Sequence, residues 1–494
     1  MNHVVRSALA ALLATSMSIG VAQDLVMATS AQPDMLDPHG TSATSAFQST
    51  KSIYDTLVEV GRDGTIQPLL ATSWSISDDG TVWTFDLAEA TFHDGTPFDA
   101  DDAIASLNRL RDADVSPKAE EFTAIREIEA VDARTLRVTL DQPTPALLAS
   151  LASGWGAMLP SEKIAANHDF ANEPIGTGAF MFDEWVRDGY LRLTANPDYF
   201  KGAPSIDSVT LRFVTDSAVQ VQGLLSGDFH VIGGVATADL ATIANRDDVT
   251  LVQEPSGTVL VTSINNRRPY LDDARVRQAL NLAVDAQTVL DVAYGGGTMT
   301  GSFMEPGNPW LPSDVEPYGY DPERARALLD EAGVPDDWTL DMALPQPYEV
   351  HVQAGQIVQD MLADVGVNVE IRVVEWGVWL GEVYRGDRDF DLTVIGHTGK
   401  LDPTGRLGGY GDPDATYVGW DDPTSVSLLS EAAAEPDQTA RAALYGEVLH
   451  RLHDTTPFIY FGASNRSHAH RANVEGFWMT PLLDSYDFRS VTVQ

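Results

Sequence analysis

Pro68 to Leu110 reads PLLATSWSISDDGTVWTFDLAEATFHDGTPFDADDAIASLNRL. Within it, Asp79-Gly80 is a turn signal, and the residues after it, Thr81 to Leu87 (TVWTFDL), read as a β-strand. A second turn follows at His93-Asp94-Gly95, and then Pro97. Asp99 is placed to cap a helix, with Asp102 three residues on to complete a capping box. Ile104, Leu107 and Leu110 then form the buried stripe of that helix. Strand, turn and helix inside one short stretch predict a mixed α/β chain.

The same alternation continues outward in both directions. Asp24 to Thr29 (DLVMAT) is a short apolar strand, followed by a loop punctuated by Pro33 and Pro38. Asp272 is expected to open a helix that carries Val276, Ala279, Leu280 and Ala283 on one side. Asp321-Pro322 opens another, cap then N1 proline, with Leu328, Leu329 and Ala332 inward and Gly333 as its stop. Val367 to Val374 alternates as a strand, and Ala440 to Leu452 repeats a helical spacing. No internal repeat and no low-complexity linker interrupts this order, which argues for a compact α/β body in several lobes.

The 494 residues include 72 acidic and 31 basic side chains, for a formal charge of −41. Only five of the basic residues are lysines: Lys51, Lys118, Lys163, Lys201 and Lys400. Such a field repels polyanions and anionic lipid, so nucleic-acid and peripheral-membrane functions are set aside. With hydrophobics at 44% and aromatics at 8%, there is ample material for packed cores. Cysteine is absent, which removes disulfides, thiol catalysis and Cys-type metal sites together.

Residues 1–22 read as a secretory signal. Arg6 supplies the positive charge, Ala8 to Val21 is an apolar and small-residue run without charge, and Gly20-Val21-Ala22 offers small residues for cleavage. The run is shorter than the roughly 20 apolar residues a spanning helix needs. With no cysteine after the cleavage site, a lipid anchor is not expected. An exported, soluble protein is the expectation.

Catalytic signatures fail one by one. There is no Gly-x-Ser-x-Gly elbow and no His-Glu-x-x-His helix. Gly399-Lys400 looks like part of a phosphate loop, but Leu401 stands where Ser or Thr must hold magnesium and Val394 where the first glycine belongs. Gly295-Gly296-Gly297 reads as a helix C-cap. Among the eleven histidines, His450 and His453 at i, i+3 together with His468 and His470 have metal-site spacing, but separate surface histidines explain them better. Neither an enzyme nor a resident metal or cofactor is expected; a secreted hydrolase stays a distant alternative.

The opening stretch resembles the signature of the substrate-binding proteins of ATP-driven importers, the peptide/nickel family (family 5, dipeptide/oligopeptide-binding type). Further matches follow in that family's order: PIGTGAF (174–180), NPDYFKGAPSIDSVTLRF (196–213), LDDARVRQALNLAVD (271–285) and YDPERARALLDEAG (320–333). The resemblance covers essentially the whole chain after the signal. It implies a type II-like periplasmic binding fold with three lobes around a closable cleft. Domain I is then discontinuous (23–60, 186–268 and 478–494), domain II is 61–185 and domain III is 269–477. Trp74, Phe85, Gly95, Gly176 and Gly178 are expected at core or turn positions rather than against the ligand.

The resemblance also implies a role: capture of a peptide-like or small anionic organic ligand and its delivery to an inner-membrane permease with a cytoplasmic ATPase, by a periplasmic monomer. Peptide-binding relatives read G-W-x-x-D where this chain has Gly396-His397-Thr398-Gly399-Lys400, and their aspartate grips an α-ammonium. Here His397 replaces the tryptophan and Lys400 the aspartate, which favours an anionic group; Asp402, two positions on, is the residue that restores peptide binding if it takes the aspartate's place. The remaining ligand-facing candidates are Trp376 and Tyr348 in the third lobe, Ala31 and Gln32 after the first strand, and Trp155 in the second lobe. His397 and Asp402-Pro403 also keep a nickel or metal-chelate receptor as the alternative.

Overall fold

The computed structural model describes residues 23–346, 348–375, 378–385, 388–480 and 485–494. The stretch that opens the sequence argument builds most of one lobe. Strands Ala71–Ile76 and Val82–Leu87 pair antiparallel across the Asp79-Gly80 turn. There the Asp79 carboxylate accepts from Ser77 Oγ (2.6 Å) and Thr81 N (3.1 Å), and Gly80 adopts φ +72°. Strands Thr135–Leu140 and Ile125–Asp132 complete a four-stranded antiparallel sheet. Helix Ala100–Leu110 covers it, opened by the expected capping box: Asp99 accepts from Asp102 N while the Asp102 side chain accepts from Asp99 N. Trp83, Phe85 and Leu87 alternate inward against Phe98, Leu107, Leu110, Leu136 and Val138. Each such side chain contributes about 1.5–3 kcal/mol by leaving water.

Most of the other described residues are organised by one sheet of twelve strands. In its first half, Asp24–Thr29 lies parallel between Ser208–Phe213 and Val231–Ile232, and Tyr190–Ala195 and Phe180–Val186 extend it antiparallel. In its second half, Val259–Ile264 pairs with Leu392–His397, beyond which lie Thr339–Pro345 and Asn368–Val374. Every residue of Val259–Ile264 is buried, because both faces are covered. Leu260 and Ile264 pack with helices Ala274–Ala283, Ala286–Tyr294, Pro322–Ala332 and Glu349–Asp364. Val259 and Val261 point the other way, into a cluster with Tyr445, Leu449 and Leu452 of helix Gln438–Thr455. The expected helix start at Asp272 moves one residue on: Asp273 caps it by accepting from Arg275 N.

One strand belongs to both halves. The first residues of Phe458–Arg471 pair with Val259–Ile264, and the last seven pair with Val249–Pro255. The chain crosses back through 256–258, so two antiparallel segments join the halves, tied by Ser256 N donating to Ser464 O at 2.9 Å. At this crossing Gly462 has φ +144°, and a Cβ there would lie 2.1 Å from Thr298 O, so only glycine fits.

Core membership runs across the expected lobe limits. Leu159, Phe170, Ala179 and Phe180 pack with Leu25 and Leu193 of the first lobe, as do Val474 and Phe477. The reason lies in the PIGTGAF segment, which runs hard against the backbone of Ser52 and Ile53: a Cβ on Gly176 would sit 2.1 Å from Ile53 O, and one on Gly178 2.4 Å from Ser52 O. Phe180 N donates to Ser52 O at 2.9 Å, which sews the segment to the first lobe.

Candidate functional site: an interlobe cleft

A cleft of about 800 Å³ separates the four-stranded lobe from the half of the molecule built on Val259–Ile264. Its floor is the crossing segment Pro255, Ser256 and Gly257. Trp74 and Ile76 of the first strand and Leu148 of helix Leu147–Ala152 form one wall; Pro309 and Trp310 stand on the other. The two sides come close at Gly80 and the lining residue Pro436, for a Cβ added to Gly80 would lie 3.4 Å from Pro436 Cβ. Trp74, expected only in the core, has both roles: it packs against the lobe's interior and lines the cleft. Ile76 leaves 44% of its surface open, an apolar exposure that lines this cleft.

Trp310 is framed on two sides. Its backbone N–H donates to Asn308 Oδ1 at 2.9 Å, the Arg441 guanidinium lies 5.4 Å from its ring centroid, and the Tyr445 ring meets it edge-on at 5.7 Å. The same Arg441 donates to both oxygens of Asp402, at 2.6 and 2.7 Å, and Asp402 also accepts from Thr404 N at 2.9 Å. Lys400 lines the cleft half-buried. Burial lowers its pKa, the Lys118 and Arg406 cations lower it further, and Glu121 opposes them. Lys118 and Glu121 belong to the opposite lobe, where they pair at 3.1 Å with the lysine 5.1 Å over the Trp155 ring.

The remaining sequence candidates sort by position. His397 ends its strand beneath the Lys400 loop, with Nε2 2.9 Å from Tyr417 Oη and its ring 4.8 Å from Phe303. Burial, reinforced by Arg406 and His351, pushes its pKa down to about 3, so it is neutral at ordinary pH. Thr398 is exposed, and its carbonyl accepts from Arg406 Nη2 at 3.1 Å. Trp155 is buried, donates to Thr41 O at 2.9 Å and meets Phe47 edge-on. Gln32 ties its loop to Asp188 of the first-lobe hairpin by two hydrogen bonds, and Ala31 beside it is exposed. Tyr348 lines a shallow surface hollow with Gln346, Glu349 and Val350. Trp376 lies outside the described residues. Thus Lys400 and Asp402 line the cleft; Ala31, Gln32, Trp155, Tyr348, His397 and Thr398 are not among its lining residues.

The histidine pairs do not converge. His450 bonds Asp314 (3.1 Å) and Gly446 O, His453 bonds Gly301 O, and His468 packs against Phe477 of the first-lobe core. Among the described residues no three His, Asp or Glu side chains form a metal-holding group.

Residues 65–422 match the family model "Bacterial extracellular solute-binding proteins, family 5 Middle". The chain belongs to this family. This solute-binding protein is 30% identical, over 94% of each chain, to the di/tripeptide-binding protein 2 of Pseudomonas aeruginosa. Its fold superposes with TM-score 0.77 on DppA from Helicobacter pylori in complex with peptide STSA, at 26% identity over 96% of this chain and 98% of that one. The same score, at 28% identity over 95% and 99%, relates it to AgaA from A. tumefaciens in complex with agropinic acid. Missed in the sequence were the cleft roles of Trp74, Trp310 and Arg441; the one available signal was the proline-flanked run Asn308-Pro309-Trp310-Leu311-Pro312. Among the described residues, no helix of this solute-binding protein is long and apolar enough to cross a membrane.

Proposed function

We propose that the protein captures a peptide-like or small organic solute between its lobes and hands it unchanged to an inner-membrane permease driven by a cytoplasmic ATPase. The cleft carries this reading: about 800 Å³ is room for a short peptide or a metabolite of similar size, and its floor is the two-segment crossing about which the lobes can hinge. Relatives bear the names of peptide-binding proteins, and one is described with agropinic acid, so peptides and organic acids are the classes to test. A ligand drives closure only through contacts it makes in the closed form and lacks in the open one. Walls on opposite lobes, Trp74 and Trp310, are suited to supply them.

In this reading the first lobe is the cluster around Leu25, Leu193 and Phe488, and the second runs from about Leu57 to Met158. The third holds the two cores flanking Val259–Ile264. Residues 1–22 direct export to the periplasm and are removed, and the protein acts as a monomer without catalysis. The metal-chelate alternative has less behind it, because His397 is engaged by Tyr417. Native mass spectrometry of protein from its own host is expected to show a retained small solute. Small-angle scattering is expected to show compaction when that solute is returned to stripped protein. Turnover of the solute, or an unchanged scattering profile, overturns the proposal.

A further inference from the structure

The cleft lining differs from the rest of the molecule in charge. In a chain with 72 acids and 31 bases, the lining holds three of each: Arg62, Lys400 and Arg441 against Asp63, Glu305 and Asp402. Most of these charges are already matched. Asp402 is gripped at both oxygens by Arg441. Glu305 accepts from Asn308 at 2.8 Å; its other oxygen is buried without a hydrogen bond but has its counter-charge in Arg406 Nη2, 3.3 Å away. Asp63 is exposed at the rim, where it accepts from the Thr65 amide and hydroxyl. Arg62, also exposed, donates to Gly476 O at 2.8 Å and lies over the Trp478 ring.

Lys400 is the exception. It makes no hydrogen bond and no ion pair with a described residue, although it is half-buried and faces the cleft. Its near neighbour across the cleft, Glu121, is held by Lys118 and by Ser150 Oγ at 3.4 Å. The enclosed part of the cleft therefore offers a cation without a counterion and, among the described residues, no carboxylate without a cation. The same cleft is lined by apolar groups, with Trp74, Ile76 and Leu148 on one side and Trp310 and Leu401 on the other.

The geometry points to a ligand with one free carboxylate, an apolar body and no free ammonium: an N-acylated or otherwise amine-blocked amino acid or dipeptide. This rests on the receptor reading and narrows it. The carboxylate neutralises Lys400, and the body fills the space between Trp74 and Trp310. A free ammonium would enter a site whose carboxylates are committed, next to a second cation, and so be disfavoured.

The test is calorimetry on the full chain with three probes: N-acetyl-Leu-Phe, Leu-Phe and Leu-Phe amide. The acetylated dipeptide is expected to bind at least about tenfold tighter than the free one, with the amide weakest. Lys400→Gln, which breaks no bond in the folded protein, is expected to erase that preference. Arg441→Met frees Asp402 and is expected to shift preference toward the amide. Equal or tighter binding of Leu-Phe, an unchanged preference in Lys400→Gln, or binding of none of the three overturns the inference. The receptor reading then stands or falls separately, on the retained solute and the scattering.

Discussion

Glu59 is buried on the short strand Val58–Val60, and three cations from distant segments converge on it. Arg489 donates to its two oxygens at 2.7 and 3.1 Å, Lys201 at 3.2 Å, and Lys51 lies 3.7 Å away. Burial alone would raise its pKa, but Lys51, Arg489 and Lys201 prevail and bring it from 4.5 down to about 2. A carboxyl whose folded value lies below its unfolded one contributes stability above about pH 4.5 and loses it as pH falls toward 2. Glu59→Gln is therefore expected to lower stability at neutral pH by about 3 kcal/mol and to flatten the acid-unfolding curve in that window. Circular dichroism across an acid titration checks this, and an acid profile matching the parent would refute it. At the same scale, Lys400 was legible as one of five lysines in an acidic chain. The commitment of Asp402 was not: it sits in a loop, and its partner Arg441 lies 39 positions away, on helix Gln438–Thr455.

Elements were legible wherever their ends are marked chemically. Helix Ala100–Leu110 begins at its cap, and helix Pro322–Ala332 runs from capping Asp321 to Gly333 at φ +72°. The first of these carries a direct prediction. Asp99→Ala removes both bonds from Asp101 N and Asp102 N and is expected to cost about 1 kcal/mol, read from urea unfolding followed by tryptophan fluorescence. A shift no larger than that of an exposed mid-helix control such as Asn108→Ala would mean the box contributes nothing. Element membership was another matter. Phe458–Arg471 is one continuous strand, yet which half of the sheet each of its residues serves depends on the neighbours it meets. Likewise the segment after Met158 packs with Leu25 and Leu193, and Gly176 and Gly178 let it approach residues 52 and 53.

For the whole molecule, a formal charge of −41 surrounds a cleft with balanced charge. A carboxylate ligand is then repelled at long range and attracted only once inside, within the roughly 8–10 Å over which salt at ordinary strength screens charge. Its association rate is expected to rise with ionic strength, while dissociation, governed by enclosed contacts, changes little. Stopped-flow tryptophan fluorescence with N-acetyl-Leu-Phe at increasing sodium chloride measures both rates. An association rate that falls with salt would show that the cleft's own field dominates at a distance.

From its residues alone the chain was readable as an α/β body without catalytic motifs, with its caps and turns in place, and five ordered motifs named the family. All of these are short-range signals, written within a few residues of where they act. Only the folded protein decided that Trp74 and Trp310 face one another's space, that Asp402 is neutralised and that Lys400 is not. Those outcomes depend on which side chains arrive from distant segments, and charge neutralisation and wall geometry are properties of that arrival, not of any local pattern.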